Sequence, residues 1–236
     1  MNIIITGASK GIGKAVAEIF ATEGATLFLC ARNEISLYNT VAELQKKYPG
    51  SNIKAKPVDL ADKTAAQQFG KWCLELGVPD ILVNNAGEFL QGNVCDEDEG
   101  VLEKMVAINL FGAYHLTRTL LPKMIAEKNG EAGRHIFNIC SVASLEAYPN
   151  GGGYSISKFA LLGFSKNLRE ELKPHGIRVT TVSPGAVMTD SWGNFDNSNN
   201  RIMEALDIAK MIFAATKLSP QAVVEDIVLR PQLGDL

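Results

Sequence analysis

Asn2-Ile3-Ile4-Ile5-Thr6-Gly7-Ala8-Ser9-Lys10-Gly11-Ile12-Gly13 is the stretch that decides the fold. Its isoleucine run, Asn2 to Thr6, reads as a buried strand. From Gly11 to Glu23 apolar residues recur at helical spacing, so a helix follows almost at once. Between them stand glycines in the pattern G-x-x-x-G-x-G. Glycine there permits a tight turn and a close backbone approach. The unit is strand, glycine turn, helix.

Working outward, the same alternation repeats. Ala25 to Cys30, Asn52 to Val58, Asp80 to Asn84, His135 to Cys140, Gly176 to Ser183 and Val223 to Leu229 read as further strands. Helical periodicity predicts helices over Ser36 to Tyr48, Ala61 to Leu76, Val101 to Glu127, Tyr154 to Lys173 and Arg201 to Thr216. Pro49-Gly50 stops the second helix. Alternation of this kind builds a parallel sheet covered by helices on both faces. No linker, repeat or low-complexity tract interrupts it, so residues 1–236 are expected to form one domain. Ligands of such sheets bind beyond the carboxyl ends of the strands, where strand order reverses.

Composition narrows the function classes. The chain has 236 residues, 46% hydrophobic and 21% charged, with a formal net charge of -3. That balance lacks the concentrated basic face that nucleic acid favours. Its apolar runs are shorter than the roughly 18–20 residues that cross a bilayer. It opens on Met1-Asn2-Ile3 with no charged n-region, and Cys30, Cys73, Cys95 and Cys140 show no CxxC spacing. The expectation is a cytoplasmic protein with reduced thiols, no membrane contact and no metal site.

The glycine turn gives a helix N-terminus whose free N–H groups suit a pyrophosphate. The spacing differs from the G-x-G-x-x-G dinucleotide fingerprint, though the physics is shared. At the end of the second strand, an acid would hold the ribose 2′-hydroxyl of NAD, and an arginine would suit the 2′-phosphate of NADP. Here the residues are Ala31-Arg32, with Lys10 in the glycine loop as a second cation. With no acid opposite, the cofactor expected is NADP. A solvated surface charge is the ordinary alternative for either residue.

Tyr154-Ser155-Ile156-Ser157-Lys158 places a phenol and an ammonium at i and i+4, on one helix face. A nearby ammonium should lower the phenol's pKa from about 10 and fit it for proton transfer. Ser141, ending the fifth strand, could hydrogen-bond a substrate oxygen as charge develops. A half-buried tyrosine, a solvated lysine and a capping serine would give the same pattern.

With these motifs in order, the chain resembles the short-chain dehydrogenase/reductase family, in its branch of about 250 residues, over nearly its whole length. The family's glycine motif matches Thr6 to Gly13, its adenine-contacting acid Asp59, and its structural motif Asn84-Asn85-Ala86-Gly87. The helical catalytic Asn matches Asn109; the Ser, Tyr and Lys match Ser141, Tyr154 and Lys158. Pro184-Gly185, followed by Val187 and Thr189, matches the nicotinamide support. The resemblance implies a doubly wound Rossmann-type sheet of about seven strands in the order 3-2-1-4-5-6-7. It implies cofactor contacts from Gly7, Ser9, Lys10, Gly11, Ile12 and Gly13, then from Arg32, Asp59, Asn85, Ala86 and Gly87. Tyr154 and Lys158 would touch the cofactor too, as would Pro184, Gly185, Val187 and Thr189. It further implies that Tyr154 exchanges the proton, Lys158 holds the nicotinamide ribose, Ser141 orients the substrate and Asn109 holds a linking water.

Substrate identity rests on thinner signals. Specificity is expected from Glu88 to Val94, Leu145 to Gly153 and the loop Thr189 to Asn200. Glu88 is expected to face solvent, with a polar or cationic substrate as the alternative. Gly151-Gly152-Gly153 suggests a pliable backbone. Trp192 and Phe195 would either close as a lid or pack against its base. The tail from Val223 to Leu236 resembles bacterial sepiapterin-reductase-like members, implying a small carbonyl substrate, pterin side chain or dicarbonyl. A 3-oxoacyl-carrier-protein reductase is the competing enzyme reading, and a non-catalytic NADP-binding sensor the competing class. Relatives pair the helices 101–127 and 154–173 into dimers or tetramers. A homodimer or homotetramer is therefore expected, with Leu110, Phe111, Leu161 and Phe164 serving either interface or core.

Overall fold

The computed structural model describes residues 1–127, 133–189 and 192–235. Asp190 and Ser191, in the expected specificity loop, and Leu236, at the end of the tail, lie outside the described residues. The first unit is β1 (Asn2–Thr6) and α1 (Gly11–Thr22). Then come β2 (Thr26–Ala31), α2 (Glu34–Lys47), β3 (Asn52–Pro57), α3 (Lys63–Leu76) and β4 (Ile81–Asn84). The next stretch is α4 (Val101–Val106), a π-helical turn (Ala107–Phe111), α5 (Gly112–Ala126) and β5 (Arg134–Ile139). A short 3₁₀ turn (Val142–Ser144) leads to α6 (Gly152–Leu172) and β6 (Ile177–Pro184). The chain closes with β7 (Val187–Met188), β8 (Met203–Glu204), α7 (Ala205–Thr216) and β9 (Asp226–Leu229).

The main sheet has seven strands in the order β3-β2-β1-β4-β5-β6-β9, every neighbour parallel. The seventh strand is thus β9, and the order reverses between β1 and β4. Alternate side chains of β1 feed opposite faces. Ile3 and Ile5 pack with Val16 and Phe20 of α1, Leu37 of α2 and Ile212 of α7. Ile4 packs with Phe69 of α3, Leu120 of α5 and Leu168 of α6. A strand buried on both faces is why the Ile run shows no polar alternation.

Side-chain caps set two helix starts. Asn33 Oδ1 accepts from Ser36 N at 2.8 Å, and Asp62 Oδ1 from Ala65 N at 2.8 Å, so α2 and α3 begin just after them. The expected Arg201–Thr216 helix begins at Ala205, because Met203–Glu204 pairs with Val187–Met188 instead. The last strand is shorter than expected, starting at Asp226. The helix expected over 101–127 is broken by the π turn, whose cause lies in the site described below. Of the four residues offered to an interface, Leu161 is buried beside Ala113 and Cys140, Leu110 and Phe164 are half-buried against them, and Phe111 is exposed. Cys30, Cys73 and Cys140 are buried thiols and Cys95 is exposed. Among the described residues no helix is long and apolar enough to cross a membrane.

His135 in β5 makes the fold pH-sensitive. Its Nε2 lies 2.7 Å from Thr180 Oγ1 and its ring stacks on Phe137. Burial holds its pKa down at about 3, against an ordinary value near 6.5. Between those values the unfolded chain binds a proton that the folded chain refuses, so stability is lost as pH falls through 6.5 toward 3. Urea unfolding should show stability lower at pH 5.5 than at pH 7.5 by about 1 kcal/mol from this group alone. His135→Gln should flatten that part of the pH dependence, and an unchanged slope would contradict the assignment.

Candidate active site

The glycine loop is held from below by the Asn84-to-Gly87 segment. Thr6 Oγ1 accepts the N–H groups of Asn85 and Ala86, each at 2.9 Å. Asn85 Nδ2 donates to Thr6 O at 2.9 Å and Gly7 O at 3.1 Å. Gly7 (φ +63°) and Gly11 (φ +54°) adopt left-handed backbone that side chains resist. A Cβ on Gly7 would stand 2.9 Å from Ala86 Cα, and one on Gly11 3.1 Å from Thr189 Cγ2. Thr189 and the glycine loop therefore face each other across a narrow gap.

The loop fits a pyrophosphate. Lys10 ends it in extended conformation, α1 receives no side-chain cap, and its first turn carries no acid. The open N–H groups and the positive end of the helix dipole favour an anion. Ser9 is positioned through its carbonyl, which accepts from Thr40 Oγ1 at 2.8 Å.

At the adenosine end, Val58 N donates to Ala31 O at 3.0 Å, which aligns the ends of β2 and β3. That brings Arg32 and Asp59 onto one rim. Asp59 Oδ1 accepts from Ala61 N at 3.0 Å. The expectation that no acid opposes Arg32 is overturned. Arg32 Nη1 lies 3.5 Å from Glu88 Oε2, and Lys104 Nζ lies 2.8 Å from Glu88 Oε1. Nor does Glu88 stand free in solvent. Its side chain is largely covered, and the Lys104 hydrogen bond chiefly holds its pKa below the ordinary carboxylate range.

Asn84, the first residue of the Asn84-to-Gly87 segment, lies in the interior. Its Nδ2 donates to Thr117 Oγ1 at 3.1 Å and Asn138 Oδ1 at 2.8 Å, and Asn138 Nδ2 donates to Ser165 Oγ at 2.8 Å. This chain ties β4 and β5 to α5 and to α6, the helix that carries Tyr154 and Lys158.

Asn109 sits in the π turn with its side chain buried. The extra backbone residue of such a turn rotates a side chain inward. Asn109 Nδ2 donates to Glu88 O at 3.0 Å and Ser157 Oγ at 2.9 Å, while its Oδ1 accepts from Glu88 N at 2.8 Å. Gly112, next along, leaves room for Leu60 O, 2.9 Å from a would-be Cβ.

Ser141, Tyr154 and Lys158 meet beside Asn109. Ser141 Oγ accepts from Ala143 N at 3.1 Å, and Ser144 Oγ accepts from Ser141 N at 3.0 Å, which locks the serine at the start of the 3₁₀ turn. Lys158 Nζ donates to Ile139 O at 2.9 Å and lies 5.8 Å from the Tyr154 ring centre. A Cβ on Gly87 would be 2.9 Å from Asn109 Oδ1 and 3.5 Å from that same Nζ, so glycine keeps a passage open there. Burial pushes the Tyr154 phenol above its ordinary pKa, opposed by a hydrogen bond with Ser141. Burial also pulls Lys158 down. The expected lowering of the phenol by Lys158 is thus absent: the ammonium is turned to the Ile139 carbonyl, and desolvation prevails. The phenol is left as a protonated donor at neutral pH.

The other rim is built from the tail. Gly185 N donates to Leu229 O at 2.7 Å, and a Cβ on Gly185 would strike Asp235. Arg230 pairs with both Asp235 and Glu146, so the tail is tied to the loop after Ser141. Val187 is buried in β7 beside Pro184-Gly185. Trp192 and Phe195 pack on each other with ring centres 5.3 Å apart.

One contributor, Phe89, falls in the expected specificity segment Glu88 to Val94, and a second, Glu97, escapes sequence reading. Phe89 stands edge-on to Tyr154 with centres 4.8 Å apart, its outer part exposed. Glu97 Oε1 accepts from Gly153 N at 2.7 Å and so caps the helix that carries Tyr154 and Lys158. Asn93 supports it by accepting from Asn150 N at 3.2 Å. Gly151–Gly153, expected to be pliable, is held here from a distant loop. No local signal exposes a cap 56 residues away. Glu97→Ala should cost about 1–2 kcal/mol in urea unfolding, and an unaltered midpoint would deny Glu97 this role.

A doubly wound nucleotide-binding sheet with a serine, a tyrosine and a lysine gathered at its switch point defines an oxidoreductase of Rossmann type. The short chain dehydrogenase family model matches residues 1–200, and the chain belongs to that family. An uncharacterized oxidoreductase of Staphylococcus saprophyticus is 31% identical over 229 residues, covering 97% of this chain and 96% of that one. An alcohol dehydrogenase of the archaeon Thermococcus sibiricus, complexed with 5-hydroxy-NADP, has TM-score 0.90 and 26% identity over 100% of this chain and 98% of its own. A metagenomic short-chain oxidoreductase in complex with NADP has TM-score 0.83 and 29% identity over 98% and 97%.

Proposed function

We propose that this chain is a cytoplasmic, NADPH-dependent reductase that converts a small carbonyl compound to an alcohol. The observation that carries it is the convergence of Ser141, Tyr154 and Lys158 beside a glycine loop that ends in an uncapped helix. Arg32 and Lys10 supply positive charge for the 2′-phosphate of NADP, and the NADP complexes of the two structural relatives support that choice. Gly7, Ser9, Gly11, Ile12 and Gly13 would cradle the pyrophosphate, with Asp59, Asn85, Ala86 and Gly87 along the adenosine. Pro184, Gly185, Val187 and Thr189 would back the nicotinamide.

The nicotinamide, when bound, supplies the hydride that the carbonyl carbon receives. Ser141 orients the carbonyl oxygen and stabilises its growing negative charge. Tyr154 donates its phenolic proton to that oxygen and is left as a phenolate that regains a proton from solvent before the next turnover. Lys158 would hold the ribose hydroxyls of the cofactor, and Asn109 keeps the loop at Glu88 beside it. Apolar Phe89, edge-on to Tyr154, would form part of the substrate wall, which agrees with a compact carbonyl such as a dicarbonyl or a pterin side chain. We infer a homodimer or homotetramer from exposed apolar side chains on the paired helices, Phe111 on one and Ile156 and Phe159 on the other.

NADPH oxidation is the direct test, run over α-dicarbonyls, sepiapterin, 3-oxoacyl thioesters and simple aldehydes with NADH in parallel. Turnover of a small carbonyl with NADPH supports the proposal. Preference for the acyl thioester would move the substrate class, and NADPH binding with no turnover anywhere would favour a sensor.

A further inference from the structure

Arg32 is the residue on which the NADP reading leans, yet the structure gives it an occupant already. Glu88 follows directly on Gly87, in the segment that lies under the glycine loop. Its two oxygens are divided: Oε1 lies 2.8 Å from Lys104 Nζ, Oε2 3.5 Å from Arg32 Nη1. Its backbone is fixed as well, since Asn109 bonds both its N–H, at 2.8 Å, and its carbonyl, at 3.0 Å. Glu88 is therefore a carboxylate that cannot drift away from the rim. Arg32, by contrast, is on a side chain that is 64% exposed.

We propose that Glu88 is a cofactor-selectivity residue, a tethered carboxylate that competes with the ribose 2′-phosphate for Arg32 and so limits the preference for NADPH over NADH. It rests on the reading of this site as one for a nicotinamide nucleotide. A phosphate that takes Arg32 must part it from Glu88 and then sit near a fixed negative charge. A nucleotide with a plain 2′-hydroxyl carries no such charge, and the hydroxyl can donate to a carboxylate oxygen. The acid that the sequence order places after β2 in NAD-selective sheets is here supplied from the other side of the cleft. Lys104 draws the carboxylate away from Arg32, which keeps the competition partial.

Nucleotide fluorescence titration, which needs no substrate, measures the dissociation constants of NADPH and NADH. Glu88→Gln retains the backbone bonds to Asn109 and should raise the NADPH preference about fivefold, the size of one exposed ion pair. In an Arg32→Ala background the same change should move the ratio less than twofold, because the contested group is gone. Lys104→Gln, which frees Glu88 toward Arg32, should shift the ratio the other way. A ratio unmoved by Glu88→Gln in a protein of unchanged melting temperature would overturn the inference alone. So would a fivefold shift that persists without Arg32, or an equal weakening of both nucleotides. Failure of the unaltered chain to bind either nucleotide would overturn the reductase reading and this inference together.

Discussion

Tyr154→Phe is expected to reduce carbonyl turnover by about a thousandfold while NADPH binds within twofold of the unaltered chain. The substitution removes one oxygen and leaves the ring. The edge-on contact with Phe89, at 4.8 Å between centres, needs only that ring. Lys158 keeps its bond to Ile139 O, and Ser141 keeps its place through Ala143 N. The proton donor alone is lost, and a positioned acid contributes roughly 10²–10⁴ in rate. Because burial raises the phenol's pKa, the unaltered chain holds its proton at neutral pH and needs no further group to supply it. Single-turnover rates beside a fluorescence titration separate the two effects. Full activity in the variant would end the assignment of Tyr154, and joint loss of rate and binding would show a structural role.

Gly13→Ala should be the most damaging small change in the cofactor loop, costing about 2–3 kcal/mol of stability and at least tenfold in NADPH affinity. Helix propensity alone favours alanine by about 1 kcal/mol. Packing overrides it. The new methyl would stand 2.6 Å from Asn85 Nδ2 and closer still to the Gly7 carbonyl oxygen. Neither neighbour can yield cheaply: Asn85 would forfeit its bonds to Thr6 O and Gly7 O, and Gly7 is backbone in a left-handed turn. Gly50→Ala, where an added Cβ meets nothing within 4 Å, is the control and should stay within about 0.5 kcal/mol. Urea unfolding and nucleotide titration on both variants check the pair. Equal behaviour of the two would refute the close packing of α1 on the loop.

Much of this architecture is legible because it depends on short-range patterns. The Ile3–Ile5 run, the glycine turn and the i, i+4 relation of Tyr154 and Lys158 are local facts, and they place strand, loop and helix face. The ends of elements are less so. Ala205 starts α7 because Met203–Glu204 finds a strand partner 16 residues earlier, a pairing that periodicity does not register. Asn109 illustrates the same limit: a helix was expected through it, and the π turn follows from its bonds to Glu88 and Ser157, 21 and 48 residues away.

Sequence by itself determined the parallel sheet, its two-sided core and the chemistry of the residues at the strand ends. Those follow from side-chain volume, backbone freedom at glycine and fixed spacing, all properties of neighbours in the chain. Tertiary structure alone decided that Glu88 faces Arg32, that Glu97 caps the helix of Tyr154 and that the phenol's pKa goes up. Charge pairing and desolvation depend on which distant groups share a few ångströms of space, and that arrangement exists only after the strands have been ordered.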